Sequence, residues 1–202
     1  MRNDKNISFK EEIVMNLVLE TIKKRRSVRR FRPEQVTEEE MNALIESALW
    51  APSGHNTQPW HFLIVQDREK IDQMSSATIK KMASSSIDWV RKLAAKDGYH
   101  LFHSAPTVVV VSGKQSDDEF LPVIADCSAA IQNMLLAAES LDIGTCWIGL
   151  TSFLFEDDEE VASLKIPESY RPLYTVAVGY KSSEFSPAPP SRKIDTVSRF
   201  GR

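Results

Sequence analysis

The run PTVVVVS, Pro106–Ser112, constrains the possible folds of this 202-residue chain more than any other stretch. Its four consecutive valines are β-branched, and an unbroken apolar strand of this kind is typical of the centre of a sheet, buried on both faces. Three shorter apolar segments, bounded by polar or turn-forming residues, predict further strands. These segments are HFLIVQ (His61–Gln66), TCWIGLT (Thr145–Thr151) and LYTVAVG (Leu173–Gly179).

Helical periodicity predicts the elements that surround these strands. The strongest signal is Asp126–Leu141, DCSAAIQNMLLAAESL, which is apolar nearly all round and is followed by Gly144, a residue placed to end a helix. Such a helix is buried on several sides, either in the core of its own chain or against a second subunit. We take Leu135 as a residue that faces a partner subunit. Phe155–Leu164 predicts a shorter, acidic helix.

The chain length suits one domain, and the composition argues against several classes of function. We expect residues 16–181 to form the domain, 1–15 a loose arm, and 182–202 a tail that wraps something or stays loose. The net charge of −3 gives no pull toward nucleic acid. No membrane segment is visible, and the first fifteen residues are too charged for a signal peptide, which predicts a cytoplasmic protein. Cys127 and Cys146 lack metal-ligand spacing, so no metal site is predicted.

The stretch APSGHNTQPW, Ala51–Trp60, is too small, too polar and too turn-prone to fill a core. Two interpretations are open. It is either a hydrophilic connection between a helix and a strand, or the lining of a site for a polar, planar ligand. The residues that such a ligand would meet are Pro52, Ser53, His55, Asn56 and Gln58.

A dense basic run, KKRRSVRRFR, spans Lys23–Arg32 and contains seven Lys or Arg residues among its ten. Three interpretations compete: a solvated helix end, a nucleic-acid or localisation patch, and a site for a phosphate group. The interleaved Ser27 favours phosphate, because a hydroxyl and two guanidinium groups can together satisfy the oxygens of an anion.

The segment Arg68–Tyr99 has a weak helical pattern rich in Ser and Lys, which predicts a mobile cover. Within it, Trp89 is expected to pack on the core rather than to reach a ligand. His100 and His103 flank Phe102 without a partner that the sequence identifies, and we assign them no role.

Four separated motifs together resemble the nitroreductase family of FMN-dependent oxidoreductases. The same order and spacing recur in that family, and the match covers almost the whole chain after residue 15. IPESYRPLYTVAVGY is also similar to the closing helix-to-strand segment of the family. The four motifs are RRSVRRF (Arg25–Phe31), APSGHNTQPWHF (Ala51–Phe62), GTCWIGL (Gly144–Leu150) and PSRKIDTV (Pro190–Val197).

The resemblance implies an α+β fold with a mixed central sheet flanked by helices. It also implies an intertwined homodimer with two flavin sites at the subunit interface, where the tail wraps the partner. The implied contacts to the phosphate, ribityl chain and pyrimidine edge of FMN are Arg25, Arg26, Ser27 and Arg29 of one subunit, with Arg192 from the tail. The ring would be lined by Trp147, Ile148, Gly149 and Leu150. The other subunit would contribute Pro52, Ser53, His55, Asn56 and Gln58.

The resemblance further implies a redox activity in which the cofactor supplies the chemistry. NAD(P)H would donate a hydride to flavin N5, and a nitroaromatic, a quinone or a similar small acceptor would then collect it by a ping-pong route. Arg29 would stabilise negative charge near N1, and no catalytic side chain is required. His55 stands where many relatives carry another residue, so the acceptor stays open. An FMN-binding module that stores or delivers flavin is the alternative.

Overall fold

The computed structural model describes residues 16–116, 121–183, 188, 190–193 and 196–201. The expected N-terminal arm, residues 1–15, lies outside the described residues. So do several positions of the expected tail. Among the helices of the described part of the chain, none combines the length and the apolarity needed to cross a bilayer.

The predicted strands form one four-stranded sheet in the order β1-β2-β4-β3. Every pair of neighbouring strands is antiparallel. Outside these strand pairs, an isolated bridge between Ser27 and Thr145 is parallel. The expectation of a mixed sheet is therefore wrong for the named strands. Strands β2 and β3 do run in the same direction, but β4 lies between them. The strands are β1 (Trp60–Val65), β2 (Thr107–Lys114), β3 (Ile143–Ile148) and β4 (Tyr170–Tyr180).

Helices cover both faces of the sheet. The predicted acidic helix over 155–164 begins only at Asp158, where Asp157 caps it by accepting hydrogen bonds from the N–H groups of Glu159 and Glu160. Phe155 instead ends a separate short helix that begins at Ser152. The helices are α1 (Leu17–Lys24), α2 (Glu38–Leu49), α3 (Arg68–Met82), α4 (Asp88–Ala94), α5 (Val123–Ser140), α6 (Ser152–Phe155) and α7 (Asp158–Ser163), with a 3₁₀ turn at Gly54–Asn56.

The four valines of β2 join two separate hydrophobic cores, which confirms the prediction of a central strand buried on both faces. Val109 and Val111 belong to the core beneath α2 and α5. Val108 and Val110 belong to the core beneath α3, α4 and α6. All four side chains are fully buried. Because successive strand residues point to opposite faces, one apolar run supports both layers.

Helix α5 is held mainly by its own chain. Its buried residues include Ile131 and Met134, and they pack in the core shared with α2. Leu135 is only 4% exposed within the single chain, so its expected position facing a partner is wrong. Gly144 does not end this helix either, because α5 stops at Ser140 and Gly144 lies inside β3.

The segment expected to be a cover is partly a core element. Helix α3 buries Ile71, Met74 and Met82 completely against the sheet. This amphipathic packing ties the first half of the segment to the fold. Trp89 on α4 is 58% exposed, so the prediction that it packs on the core is wrong.

Truncating Met134 tests the assignment of α5 to the core. Met134→Ala should lower the free energy of unfolding by about 2–5 kcal/mol, because it leaves a cavity under α2 and the sheet. The matched control is Gln132→Ala, at an exposed position of the same helix, which should change stability by less than about 0.5 kcal/mol. Urea unfolding followed by circular dichroism measures both, and equal effects would contradict the assignment.

Candidate functional site

A cavity of about 480 Å³ opens beside the end of β3. One wall is the stretch Trp147–Leu150, and Arg29 from the basic run lies on another. The structure therefore brings together two groups of predicted site residues that are far apart in sequence. Their contact with FMN stays a prediction. The remaining lining residues are Leu93, Lys96, Tyr99, Leu101, His103 and Cys146.

Backbone pairing with β3 positions Arg29. The N–H of Val28 donates to the carbonyl of Thr145 at 2.8 Å, and Ser27 forms an isolated bridge with the same residue. Val28 is fully buried, and the extended backbone then turns the next side chain, Arg29, to the cavity side. Gly144 admits this contact, because an added Cβ there would lie 2.9 Å from Val28 Cγ1.

The basic run divides between local structure and the cavity. Lys24 is exposed and pairs with Glu20 at 3.5 Å, as in a solvated helix end. Arg26 folds back, and its Nη1 donates to the carbonyls of Lys23 and Arg25 at 2.7 and 2.8 Å. It thereby satisfies acceptors left open at the end of α1. Its buried Nε has no hydrogen-bond partner among the described residues.

The loop before β1 forms a second cluster, which does not line this cavity within one chain. His55, Asn56 and Gln58 all adopt left-handed backbone conformations, with φ values of 51, 55 and 46°. Ser53 Oγ accepts a hydrogen bond from the N–H of Gln58 at 3.0 Å. Pro52 is exposed at the start of the loop. Non-glycine residues hold such strained conformations only where their surroundings fix them, and they concentrate at functional sites.

Asp126 anchors this loop to α5. Its buried carboxylate accepts the N–H of Gly54, with both oxygens at 3.2 Å. Pro122 packs so closely that a Cβ on Gly54 would lie 2.8 Å from its Cδ. This role of Asp126 was not predicted from the sequence. An acidic residue in the first turn of the most apolar helix was the available signal.

The described part of the tail makes little contact with its own chain. Arg192 is exposed, and so are Val197 and Phe200, the last of them completely. Within one chain the structure does not bring Arg192 to the cavity wall. Its expected role at the phosphate group therefore stays a prediction.

The cavity lining carries positive charge without a compensating carboxylate among the residues that form it. Burial raises the pKa of the Cys146 thiol, which is therefore neutral. Burial, followed by the nearby Arg29 and His100, lowers the pKa of His103 to about 4, so this imidazole is neutral at pH 7. Arg29 and Lys96 are the cationic groups of the lining. The site thus suits a ligand with an anionic or electron-rich edge.

Lys96, Tyr99 and His103 are cavity residues that the sequence analysis missed. They follow α4 in a stretch without periodicity, and their approach to the site depends on how that stretch crosses the end of the sheet. Lys96 and Tyr99 lie at the end of the segment predicted as a cover, and His103 was noted without a role, because nothing in the linear sequence distinguished these polar residues from others.

The fold and the cavity together define an α+β protein in which helices flank an antiparallel sheet and a cavity lined by Arg29 and Lys96 lies beside the end of β3. Residues 22–180 match the model of the nitroreductase family. The chain belongs to the nitroreductase family.

Relatives of known name agree with this assignment. A protein of Archaeoglobus fulgidus, named as an NADH dehydrogenase/NAD(P)H nitroreductase, is 33% identical over 84% of this chain and 88% of its own length. The FMN reductase (NADPH) of Bacillus subtilis is 29% identical over 84% of this chain and 68% of its own length. A nitroreductase of Bacteroides fragilis, solved with bound FMN, is 33% identical and covers 93% of this chain and 100% of its own, with a TM-score of 0.81.

The depressed pKa of His103 predicts a contribution to acid unfolding. Its folded-state pKa of about 4 lies below the ordinary value of 6.5, so protonation favours the unfolded chain. Stability should therefore fall as the pH drops from 6.5 toward 4. Glutamine does not titrate, so His103→Gln should lack the contribution of His103 to this loss of stability. The unfolding free energy of the variant should therefore differ less between pH 7 and pH 4.5 than that of the wild type. Urea titrations of flavin-free protein measure it, and an unchanged difference would contradict the buried, neutral state.

Proposed function

We propose that this chain is an FMN-dependent oxidoreductase that passes a hydride from NAD(P)H to a small acceptor such as a nitroaromatic compound or a quinone. The observation that carries the proposal is the cavity in which Arg29 lies with the wall formed by Trp147–Leu150. Family membership supports it, together with the bound FMN of the Bacteroides fragilis structure and the names of the NAD(P)H-dependent relatives.

The residues of the cavity fit a flavin. Its volume of about 480 Å³ is within the usual range for sites of small cofactors, and most of its wall is apolar. The Trp147 ring packs edge-on against Tyr174, with centroids 5.1 Å apart, so this part of the wall has a fixed orientation.

The protein would contribute the position of the flavin and a positive charge beside it. When bound, FMN supplies hydride acceptance at N5, and negative charge collects toward N1 and O2. Arg29 would stabilise that charge, because a preorganised cation beside the site of developing negative charge lowers its energy. Because the Cys146 thiol is neutral there, it adds no competing negative charge, and the neutral His103 ring adds no second positive charge. Arg25, Arg26, Ser27 and Arg192 would hold the phosphate and the ribityl chain.

A homodimer would complete the site. Helix α1 presents Leu17 and Val18 to solvent, 72% and 64% exposed, beside an apolar hollow of about 240 Å³ between α1 and α5. Exposed apolar residues that form a contiguous surface mark an interface with another protein. A second copy on this surface would bury them. It would also offer its own loop 51–60 and its tail, residues 182–202, to the cavity of the first subunit.

Arg29→Ala tests the proposed activity. With saturating FMN, the variant should reduce its flavin about 100- to 1000-fold more slowly than the wild type, because it loses a preorganised charge. Arg30→Ala is the matched control, since it removes the same charge from the adjacent residue, which does not line the cavity. Anaerobic stopped-flow mixing with NADH or NADPH measures flavin bleaching.

Normal reduction by Arg29→Ala with FMN fully bound would contradict the role of Arg29. A wild-type protein that binds FMN but is not bleached by either nucleotide would favour flavin storage or delivery instead. Parallel double-reciprocal plots across acceptor concentrations are expected for the ping-pong route, in which donor and acceptor use the cavity in turn. Intersecting plots would contradict it.

Val18→Glu tests the proposed dimer. Val18 is exposed in the single chain, so a carboxylate there should leave the fold intact but should separate the subunits by desolvation cost at the interface. Ser76→Glu is the matched control, because it adds the same charge to an exposed position of α3. Multi-angle light scattering should show a dimeric wild type and control and a monomeric or flavin-free variant. A Val18→Glu dimer of full flavin content would contradict this interface.

A further inference from the structure

Two histidines in one turn, His100 and His103, have opposite environments. His100 Nδ1 accepts the N–H groups of Phe102 and Ser104 at 3.1 and 3.2 Å. Its other nitrogen, Nε2, lies 3.0 Å from Asp72 Oδ1. Because Nδ1 accepts two hydrogen bonds, the proton resides on Nε2 and is donated to Asp72. Both ring nitrogens of His100 are therefore engaged inside the protein.

Helix α3 holds the same turn at further points. Ser75 Oγ accepts the N–H of Leu101 at 2.9 Å, and Arg68 Nη1 donates to the carbonyl of Ser104 at 3.2 Å. Arg68 also contacts Asp72 through Nε at 3.0 Å. Side chains on one face of α3, at positions 68, 72 and 75, therefore hold the turn at residues 100–104 through hydrogen bonds.

His103 lies at the tip of this fastened turn and faces the cavity. Its backbone is left-handed, with a φ of 55°, and the next residue, Ser104, has a φ of 56°. Its side chain is half-buried and lines the cavity together with Arg29. Among the described residues, none forms a hydrogen bond with either of its ring nitrogens. A strained backbone therefore places at the cavity wall a polar ring that keeps its hydrogen-bonding capacity for a ligand.

We propose that His103 donates a hydrogen bond to the bound cofactor at the edge that Arg29 faces. The His100–Asp72 pair positions the His103 side chain for this contact. The identity of the cofactor rests on the proposed function. The neutral state of His103 at pH 7 fits this role, because one ring nitrogen then carries a proton to donate without adding a second charge beside Arg29. A donor at that edge binds more strongly when the edge gains negative charge.

The direct test compares His103→Leu with His103→Gln. Leucine removes the donor but keeps bulk, whereas glutamine keeps a neutral donor of similar reach. We expect His103→Leu to weaken FMN binding to the apoprotein about three- to tenfold and to lower the midpoint potential of the bound flavin. His103→Gln should stay close to the wild type in both. Fluorescence titration measures the affinity, and a redox-dye titration measures the potential.

A double-variant cycle tests the positioning pair. Asp72→Asn alone should weaken FMN binding in the same direction as His103→Leu, by a smaller factor. In the His103→Leu background, the added Asp72→Asn change should have no further effect, because the side chain it positions is gone. Thermal unfolding of each variant identifies loss of fold. Effects that simply multiply would overturn the positioning role.

The outcomes separate the two proposals. A wild type that binds no FMN would overturn the proposed function and this inference with it. A wild type that binds FMN, combined with His103→Leu protein of unchanged affinity and potential, would overturn only the role of His103. Equal loss in the leucine and glutamine variants would also overturn it, because the hydrogen bond would then not be the cause.

Discussion

Burial of β2 on both faces is the constraint on which the rest of the structure depends. Alternate valines of one strand close the core under α2 and α5 and the core under α3 and α4. Each fully buried valine side chain contributes about 1.5–3 kcal/mol, and here the four contributions are divided between two layers. Neither layer can form without the strand that it shares with the other. One wall of the cavity therefore lies on this sheet, at the end of β3.

A close contact between Val28 and β3 connects the sheet to the cavity that Arg29 lines. Val28 packs onto Gly144 and pairs with Thr145 through its backbone, so the middle of the basic run lies beside the start of β3. Arg29 then has a defined direction, although its side chain is exposed. A glycine that the sequence suggests as a helix stop has a different function here. It provides the space that lets the two backbones approach.

Sequence patterns predicted what local periodicity and residue chemistry determine, and they failed where position depends on tertiary packing. The four strands, the buried centre of β2 and the long apolar helix follow from periodicity alone. The orientation of Leu135 does not, because an all-round apolar helix gives no signal of which side its own core will cover. His103 was missed for a related reason. Its place at the cavity depends on hydrogen bonds between α3 and the following turn, which no linear motif records.

The single chain holds the predicted site in two halves. Arg29 and the end of β3 form a cavity, whereas the strained loop at Gly54–Asn56 is fixed elsewhere by Asp126. A left-handed backbone of this kind costs about 1–3 kcal/mol per residue. The hydrogen bonds around the loop keep the loop in this conformation. The exposed apolar face of α1 leaves a second surface without a partner. The proposed pairing of two chains accounts for both surfaces, since it would cover the apolar face and bring the loop of each chain to the cavity of the other.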